Sequence, residues 1–295
     1  MSVFKIACIP VYNEEKLIEN VIKRCKLFVD KVIVCDDGST DQTVINAKNA
    51  GAHVLIHKKN FGKGEAMKTL FNYAKKSDAD IMVTIDGDGQ FLPEEIPNII
   101  KPIINDKADI VIGYRFDDTD QMPTYRKVGN KVLDKITNLA TDLPFRDSQG
   151  GFRAYSRKAF EKIRFSTSGF GIDAEILVNA ANSGLRIVEE KVTVIYDTGG
   201  KTSTKNPISH TSEVVFSLID LIAQKHPLRF LGIPGILLIT LGIILTIHVL
   251  DVFNEIRYFS IPYTLGAFGS LVLGLILLLM SVILYSISSS TKNLR

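Results

Sequence analysis

The sequence predicts an α/β domain with a mostly parallel sheet, followed by an α-helical transmembrane hairpin. Short Val- and Ile-rich runs alternate with helical patterns up to about residue 210. Beyond residue 228, the segments 230–250 and 263–287 contain no Asp, Glu, Lys or Arg. Continuous apolar strands are typical of parallel sheets covered on both faces. Each long apolar segment exceeds the roughly 20 residues that cross a bilayer core.

The composition excludes several classes of protein. The 295 residues suffice for one large domain with an appendage, and a net charge of only +3 does not indicate a nucleic-acid-binding protein. The three cysteines show neither zinc-ligand nor disulfide-framework spacing, so we expect reduced, buried thiols in a cytosolic domain. No signal peptide is expected, because the N-terminal run "VFKIACIPVY" contains Lys5 and no basic segment precedes it.

Strands and helices alternate along the first 210 residues. The predicted strands are, in order, "VFKIACI", "KVIVCD", "HVLIH", "DIMVTI" and "DIVIGY". Apolar residues at helical spacing predict helices in "NEEKLIENVIKRCKLF", "GKGEAMKTLFNYAKK" and "PEEIPNIIKPII". A further helix beginning "QTVINAKNA" would be capped by Ser39 or Asp41.

The two apolar segments predict a membrane hairpin, because only twelve residues, "DVFNEIRYFSIP", connect them. A pair of buried core helices is the alternative interpretation. Lys225 and Arg229 precede the first segment, Lys292 and Arg295 follow the second, and the connector holds only Arg257. Since cytoplasmic flanks carry the excess of Lys and Arg, the domain and both termini are predicted to be cytoplasmic in an integral membrane protein.

Three regions are therefore predicted: a catalytic domain over 1–210, a linker over 211–228, and the hairpin with a short tail over 229–295. The linker places apolar residues along one side of a helix in "SEVVFSLIDLIAQKHPLRF". Such a helix could lie in the membrane interface or pack against the core of the domain, and the pattern does not separate the two.

Acidic residues follow three of the predicted strands. "ACIP" leads into "VYNEE", "VIVC" into "DDGSTD", and "MVTI" into "DGDGQ". Because ligands bind beyond the carboxyl ends of parallel strands, Glu14, Asp37, Asp86 and Asp88 predict an acidic crevice. A helix cap explains "DDGSTD" equally well, and a tight turn is the alternative for "DGDGQ".

The closely spaced carboxylates of Asp86 and Asp88 favour a cation between or beside them. Hard oxygen ligands suit Mg²⁺ or Mn²⁺ rather than zinc. An EF-hand is excluded, because positions six and twelve of the loop are Phe91 and Pro97. The dinucleotide-binding fingerprint GxGxxG does not follow the first strand either.

A metal with few protein ligands commonly shares phosphate oxygens of its substrate, so the crevice suits a nucleoside diphosphate. Downstream, "KKNFGKGEA" places Lys59, Lys63 and two glycines at a helix start, which is a natural anion site. An ordinary helix N-terminus remains the alternative.

Five motifs together resemble glycosyltransferase family 2. They are "IPVYNEE", "DDGSTDQT", "NFGKGEA", "DGDGQFLPEEIP" and "DSQGGFRAYSRKA", which match in order and spacing over roughly residues 4–205. More narrowly, they are similar to dolichyl-phosphate mannose or glucose synthases, some of which carry a membrane anchor. The resemblance implies a GT-A fold and a DXD-type metal site.

The resemblance also implies roles for individual residues. The implied metal ligands are Asp86, Asp88 and Gln90, which would hold Mg²⁺ or Mn²⁺. The implied nucleotide-sugar contacts are Pro10, Tyr12, Glu14, Asp37, Lys63 and Asp86. The implied catalytic residues are Arg115, Arg126, Asp147, Gln149, Arg153 and Asp173, the first two holding the acceptor phosphate. Lys201 and Ser203 would belong to a loop near the acceptor. Asp173 and Glu175 lie where related transferases keep a catalytic acid, and both could equally belong to the first turn of a helix.

The resemblance implies inverting transfer of a hexose from GDP-mannose, UDP-glucose or UDP-N-acetylglucosamine to dolichyl or another polyprenyl phosphate, forming a lipid-linked donor for glycosylation. Three alternatives remain: a processive polysaccharide synthase, a non-catalytic nucleotide-binding membrane scaffold, and a nucleotidyltransferase. The first would carry a QxxRW motif, whereas this chain has no tryptophan.

Overall fold

The computed structural model describes residues 3–115, 131–165, 172–195 and 227–293, except positions 132, 136, 139, 140 and 142. The chain divides into two compact units, Met1–Leu218 and Ile219–Arg295. The predicted linker over 211–228 falls almost wholly outside the described residues. Its interfacial position and the three domain ranges therefore stay predictions.

One seven-stranded sheet with the order β3-β2-β1-β4-β6-β5-β7 forms the centre of the first unit. The strands are β1 Lys5–Val11, β2 Lys31–Asp36, β3 His53–Ile56, β4 Ile81–Thr84, β5 Ile110–Tyr114, β6 Arg153–Ser156 and β7 Ile187–Lys191. β6 runs antiparallel to β4 and β5, and the other neighbouring strands are parallel. The predicted mostly parallel α/β sheet is confirmed.

Six helices of this unit are described over their full length, and the described residues between 131 and 141 are helical as well. The six are α1 Ile18–Cys25, α2 Thr43–Asn49, α3 Lys63–Lys76, α4 Ile96–Ile104, α5 Arg157–Lys162 and α6 Ile172–Asn182. A 3₁₀ turn, Pro93–Glu95, precedes α4. The helix predicted to begin "QTVINAKNA" is α2, and the Asp41 carboxylate accepts a hydrogen bond of 3.0 Å from Thr43 N at its start.

Helices cover both faces of the sheet, as its apolar strands require. Successive side chains of a strand point to opposite faces. Ile6 and Cys8 of β1 accordingly pack in a core with Leu70 and Phe71 of α3. Ala7 and Ile9 pack in a second core, whose helical members include Ile18, Val21 and Ile22 of α1. All three cysteines are free and buried, in agreement with the expectation of reduced thiols.

The strand directions bring the sequence motifs to one edge of the sheet. β2 and β4 lie on either side of β1, and both run parallel to it. The segments that follow these three strands therefore leave from the same edge of the sheet. Because β6 is antiparallel, its first residue, Arg153, pairs with Thr84 near the end of β4 and with Ile112 of β5. The "DSQGGF" segment before β6 therefore lies at the edge that carries Asp86 and Asp88.

The second unit contains two long apolar helices. A π-helical turn, Leu228–Gly232, leads into α7 Ile233–Ile256, and α8 spans Ile261–Asn293. Helices of a protein core would be mostly buried. In each of these two helices, only 17% of the most apolar stretch of 18 residues is buried. Both helices are long and apolar enough to cross a membrane.

Glycines let the two apolar helices approach closely. A Cβ atom at Gly235 would lie 2.9 Å from the carbonyl oxygen of Gly274, and one at Gly274 would lie 2.7 Å from that of Gly235. Small residues at such crossings are typical of packed membrane helices. The predicted pairing of the two segments as a hairpin thus has a physical basis in these positions.

Candidate active site

The paired aspartates follow β4 directly and belong to an acidic cluster. Asp88 Oδ1 accepts a hydrogen bond of 3.0 Å from the backbone nitrogen of Gln90, which fixes the turn. Burial, followed by the charge of Asp86, raises the pKa of Asp88 to about 6. Burial, followed by the charge of Asp88, raises the pKa of Glu14 to about 7. Burial therefore contributes most to both shifts, and repulsion between neighbouring carboxylates adds to it.

This cluster fits a hard divalent cation. Its donors are carboxylate oxygens, and a cation would relieve the mutual repulsion of Glu14, Asp86 and Asp88. Within the described residues, no three His, Cys, Asp or Glu side chains are placed to hold an ion on their own. An ion at Asp86 and Asp88 would therefore need other ligands, and substrate phosphate oxygens commonly supply them.

Asp86 is held against the backbone of the "DSQGGF" segment. A Cβ atom at Gly151 would lie only 2.2 Å from Asp86 Oδ2 and 2.7 Å from Asp86 Cγ. A Cβ atom at Gly87 would lie 2.5 Å from Val11 Cγ1, so the turn between the aspartates also packs tightly. Glycine at these two positions lets the carboxylate and the neighbouring chain segments occupy the same small volume.

Lys63, the first residue of α3, lies between two carboxylates. Its ammonium nitrogen is 3.1 Å from Asp86 Oδ1 and 3.4 Å from Asp173 Oδ2. Although burial opposes its charge, the neighbouring Asp173 and Asp86 raise the pKa of Lys63 above its usual value. The lysine is therefore cationic at neutral pH and partly neutralises the acidic cluster.

Asp37 fixes the loop that delivers Lys63. Its buried carboxylate accepts hydrogen bonds from Phe61 N at 3.0 Å and from Gly62 N at 2.7 Å. Its Oδ1 also lies 2.8 Å from His57 Nδ1. Gly62 has a φ of +95°, a left-handed conformation that glycine adopts without strain. The structure thus places Asp37 behind the β3–α3 loop, where it supports the start of α3.

Pro10 and Tyr12 lie at the end of β1, where Tyr12 is exposed. The next residue, Asn13, has a φ of +57°, and its side-chain oxygen accepts a hydrogen bond of 2.9 Å from Thr40 N. This contact joins the loops that follow β1 and β2. Nearby, Asp36 Oδ1 is buried and has no hydrogen-bond partner among the described residues. Asp36 directly precedes Asp37, which the sequence resemblance assigns to the nucleotide sugar.

Arg115, which is partly exposed, forms an ion pair with the buried Asp147. Arg115 Nε lies 2.8 Å from Asp147 Oδ2, and Asp147 is fully buried. Burial raises the pKa of Asp147, while the charges of Arg115 and Arg153 oppose that rise. The neighbouring Gln149 donates a hydrogen bond of 3.1 Å from Nε2 to Ser148 Oγ.

Arg153 is buried beneath the site and binds backbone carbonyls. Its guanidinium donates hydrogen bonds to the carbonyl oxygens of Gly150 at 2.8 Å, Ser148 at 2.7 Å and Asp173 at 2.8 Å. The arginine therefore ties the "DSQGGF" segment to the first turn of α6. The side chain of Asp173 in that turn lies between the two cations, 3.4 Å from Lys63 and 4.0 Å from Arg153.

The structure brings most of the sequence-predicted residues into this one region. The electrostatic neighbours of Asp88 include Asp86, Lys63 and Arg115, and those of Lys63 include Asp173 and Arg153. Glu175 is buried in α6, two residues after Asp173. Arg126, Lys201 and Ser203 lie outside the described residues. The individual roles of all these residues stay predictions.

Several contributors were not predicted from the sequence. Asp134 accepts hydrogen bonds from Ser148 N at 2.8 Å and Ser148 Oγ at 2.7 Å, which anchors the "DSQGGF" segment. Glu95 accepts from Thr193 N at 2.9 Å and Thr193 Oγ1 at 2.9 Å. These pairs join distant parts of the chain, so no local pattern announces them. The paired glycines of "QGGF" were a usable signal for the close approach at Gly151.

The fold and this site define an α/β enzyme of the GT-A type, with acidic residues gathered at the carboxyl edge of the sheet. A family model described as glycosyl transferase family 2 matches residues 6–164. The chain belongs to that family and is a glycosyltransferase. The resemblance seen in its sequence motifs is therefore confirmed.

Two relatives are named for transfer to a lipid phosphate. The UDP-N-acetylglucosamine–dolichyl-phosphate N-acetylglucosaminyltransferase of Methanococcus voltae is 35% identical over 211 residues, which cover 64% of this chain and 84% of the relative. The dolichyl-phosphate hexose transferase of Haloferax volcanii is 31% identical over 181 residues, which cover 60% and 77%. The two names share the lipid acceptor and differ in the sugar.

A solved structure shares the fold. Glucosyl-3-phosphoglycerate synthase from Mycobacterium tuberculosis, in complex with Mn²⁺, UDP and phosphoglyceric acid, superposes with a TM-score of 0.58. The match covers 75% of this chain and 78% of that chain, at 22% identity. The likeness establishes the fold, and that complex shows that the fold can accommodate Mn²⁺ together with a nucleoside diphosphate.

Proposed function

We propose that this protein transfers a hexose from a nucleotide sugar to dolichyl or another polyprenyl phosphate at a membrane. One observation carries the proposal. The acidic cluster at Asp86 and Asp88, with Lys63 3.1 Å from Asp86, occurs in a chain that also has two helices long enough to cross a bilayer. The names of the two relatives favour the same class of acceptor.

The donor occupies the edge formed by the ends of β1, β2 and β4. Tyr12 and Pro10 line the end of β1, while Asp37 holds the loop before Lys63. Lys63, whose ammonium pairs with Asp86 and Asp173 in this structure, can turn toward the diphosphate and supply it with a positive charge.

The residues present suit Mg²⁺ or Mn²⁺ at Asp86 and Asp88, with Gln90 in the same turn. Such an ion, when bound, would stabilise the negative charge of the departing nucleoside diphosphate. Gly151 keeps the Asp86 carboxylate in place, because the carboxylate lies where a side chain at residue 151 would be. The protein thus contributes a fixed pair of oxygen ligands and an adjacent ammonium.

The acceptor phosphate requires positioning rather than activation. The second pKa of such a phosphate is about 6, so the phosphate is mostly dianionic at neutral pH and is already a nucleophile. Arg115, held by Asp147, provides a guanidinium suited to phosphate, and Arg126 is the second candidate from the sequence. Asp173 is ion-paired with Lys63 and buried, which suits a positioning role better than that of a general base.

The transfer is a single displacement at the anomeric carbon. An acceptor phosphate oxygen forms the new bond to C1 as the bond from C1 to the diphosphate oxygen breaks. The electron pair leaves with the nucleoside diphosphate, and no proton transfer is needed. Attack in line inverts the anomeric centre, so an α-linked donor gives a β-linked lipid sugar.

The hairpin explains how a soluble donor and a lipid acceptor meet. α7 and α8 hold the enzyme in the bilayer, where the acceptor's hydrocarbon tail also resides. The distribution of Lys and Arg around the two segments supports a cytoplasmic domain and cytoplasmic termini. That orientation gives the catalytic domain access to cytosolic nucleotide sugars.

A lipid-extraction assay tests this function. Membranes containing the protein are incubated with polyprenyl phosphate, Mg²⁺ or Mn²⁺, and labelled GDP-mannose, UDP-glucose or UDP-N-acetylglucosamine in turn. We expect label in the organic phase from one donor, lost on metal chelation and in Asp88→Asn. Asp78→Asn is the matched control, since Asp78 is exposed before the opposite end of β4. Folded protein that transfers no label from any of the three donors contradicts the proposal.

A further inference from the structure

Lys63 lies beside the proposed metal site as well as beside the proposed position of the donor diphosphate. Its ammonium lies 3.1 Å from Oδ1 of Asp86, the residue that would also bind the divalent ion. An ion bound to the same carboxylate would lie close to the ammonium, and two cations at such a distance repel each other. Lys63 must therefore weaken metal binding or move when the metal arrives.

The surroundings identify which partner can move. Asp86 is confined, since its Oδ2 lies where a Cβ atom of residue 151 would be, at 2.2 Å. The backbone before Lys63 is also fixed, because Asp37 binds both Phe61 N and Gly62 N. The remaining freedom belongs to the flexible four-carbon stem of the lysine, whose ammonium can rotate about its own bonds.

A second carboxylate is ready to receive the displaced ammonium. Asp173 Oδ2 is 3.4 Å from Lys63 Nζ, and its residue is 6% exposed. The backbone of Asp173 is held independently by Arg153, which donates a hydrogen bond of 2.8 Å to its carbonyl oxygen. The ammonium of Lys63 can thus move from its position between Asp86 and Asp173 toward Asp173 and still be paired with a carboxylate.

We propose that Lys63 is a built-in substitute cation for the metal site. It neutralises Asp86 while the ion is absent and transfers to Asp173, and to the oxygens of an incoming diphosphate, when the ion binds. The proposal rests on the metal assignment in the proposed function. Its consequence is that the ion alone binds weakly, whereas the ion and the diphosphate strengthen each other's binding by the same factor.

Mn²⁺ binding to the full-length protein in detergent tests this proposal without any transfer reaction. The free ion is measured by electron paramagnetic resonance during titration, in the absence of nucleotide. We expect Lys63→Gln to bind Mn²⁺ roughly tenfold more tightly than the unmodified protein. Adding UDP or GDP should strengthen Mn²⁺ binding less in Lys63→Gln than in the unmodified protein.

A double-mutant cycle separates displacement from simple addition of charges. Asp173→Asn removes the receiving carboxylate, so it should weaken Mn²⁺ binding roughly fivefold when Lys63 is present. In the Lys63→Gln background, the same change should alter binding by less than about twofold. Equal effects of Asp173→Asn in both backgrounds would mean that Lys63 acts only through its charge, and the proposal would be overturned.

Controls distinguish the possible failures. Lys68 lies in the same helix as Lys63, and its ammonium pairs with Glu65 at 2.9 Å. Lys68→Gln removes this cation and should leave Mn²⁺ binding unchanged. Each variant's thermal midpoint establishes that it is folded. If the unmodified protein binds no Mn²⁺ even with UDP or GDP, the metal assignment fails. If Mn²⁺ binds but Lys63→Gln does not tighten it, only the role of Lys63 fails.

Discussion

Two groups of buried or half-buried carboxylates lie at the same edge of the sheet, and they differ in how their charge is compensated. The open cluster, Glu14, Asp86 and Asp88, contains carboxylates that repel one another, with Lys63 as the cation in contact with Asp86. The closed cluster, Asp134 and Asp147, has a specific partner for each carboxylate. Ser148 binds Asp134, and Arg115 pairs with Asp147 at 2.8 Å.

The difference separates a binding site from a scaffold. Carboxylates supplied with their own donors stabilise the arrangement of the chain and leave little capacity for a ligand. Carboxylates placed against one another retain that capacity at a cost in stability. The comparison predicts that neutralising the open cluster affects activity, whereas neutralising the closed cluster changes stability. At Asp147 it would also release Arg115, the proposed ligand of the acceptor phosphate.

The largest expected effect is on transfer by Asp88→Asn. Loss of this ligand should reduce label in the organic phase by roughly a thousandfold, because charge on the leaving diphosphate is no longer stabilised. The thermal midpoint should not fall, since the substitution removes a repulsion with Asp86 and Glu14. A folded variant that retains more than a tenth of the activity would place the metal elsewhere.

The next effect is on stability, through Asp147→Ala. Arg115 would lose its buried counter-ion, which typically costs about 3 kcal/mol in the free energy of unfolding. Chemical unfolding in detergent, followed by the near-ultraviolet signal of the domain, measures this change. If Asp88→Asn proved as destabilising as Asp147→Ala, the contrast between the two clusters would be wrong.

Gly151→Ala probes how strictly Asp86 must be held. The added methyl group would collide with the Asp86 carboxylate at 2.2 Å, so we expect transfer to fall roughly a hundredfold. Gly184→Ala is the matched control, because Gly184 has a φ of +65° and open space around its Cβ position. It should lose about 1 kcal/mol of stability and keep its activity.

Asp134 gives the comparison a pH dependence. Burial raises its pKa to about 6 from the ordinary value of 3.8, so the folded state holds this proton more tightly than the unfolded state. The stabilisation from this group is complete below pH 4 and is lost as the pH rises toward 6.

Asp134→Asn removes that titration while retaining an oxygen acceptor for Ser148. The variant should therefore gain stability relative to the unmodified protein between pH 4 and 6, by about 2 kcal/mol. Unfolding curves recorded for both proteins across this range give the difference directly. A difference that is constant with pH would contradict the assignment.

The smallest effect is expected for Thr193→Val. It removes the 2.9 Å hydrogen bond from Thr193 Oγ1 to Glu95 but keeps the backbone hydrogen bond to the same carboxylate. This contact joins the segment after β7 to the turn Pro93–Glu95, which follows Asp86 and Asp88 in the chain. We expect the rate of transfer to fall by no more than about twofold, consistent with a loss of about 0.5 kcal/mol.

The sequence was most informative where a pattern was local. The five Val- and Ile-rich strands became β1–β5, and all of them except the edge strand β3 are mostly buried, as continuous apolar runs indicate. The pair Asp86 and Asp88 was visible as two carboxylates directly after a buried strand. Lys63 was visible because two glycines accompany it at the start of a helix.

The missing strands had weaker local signals. β6 is only four residues long, and β7, "IVEEK", is half-buried with three charged residues. Their positions depend on pairing with β5, which is distant in sequence from β7. The same reason hid the contact between Lys63 and Asp173, and it hid which side chain approaches Gly151. Contacts between remote segments are set by tertiary packing rather than by residue spacing.

The most direct test of the account is to locate the ion. Crystals of the protein grown with Mn²⁺ and a nucleoside diphosphate would show it by anomalous scattering at the manganese edge. We expect one strong peak bound to Asp86 and Asp88, with the Lys63 ammonium displaced from Asp86 toward Asp173. A peak at the closed cluster of Asp134 and Asp147, or none at Asp86 and Asp88, would contradict the account.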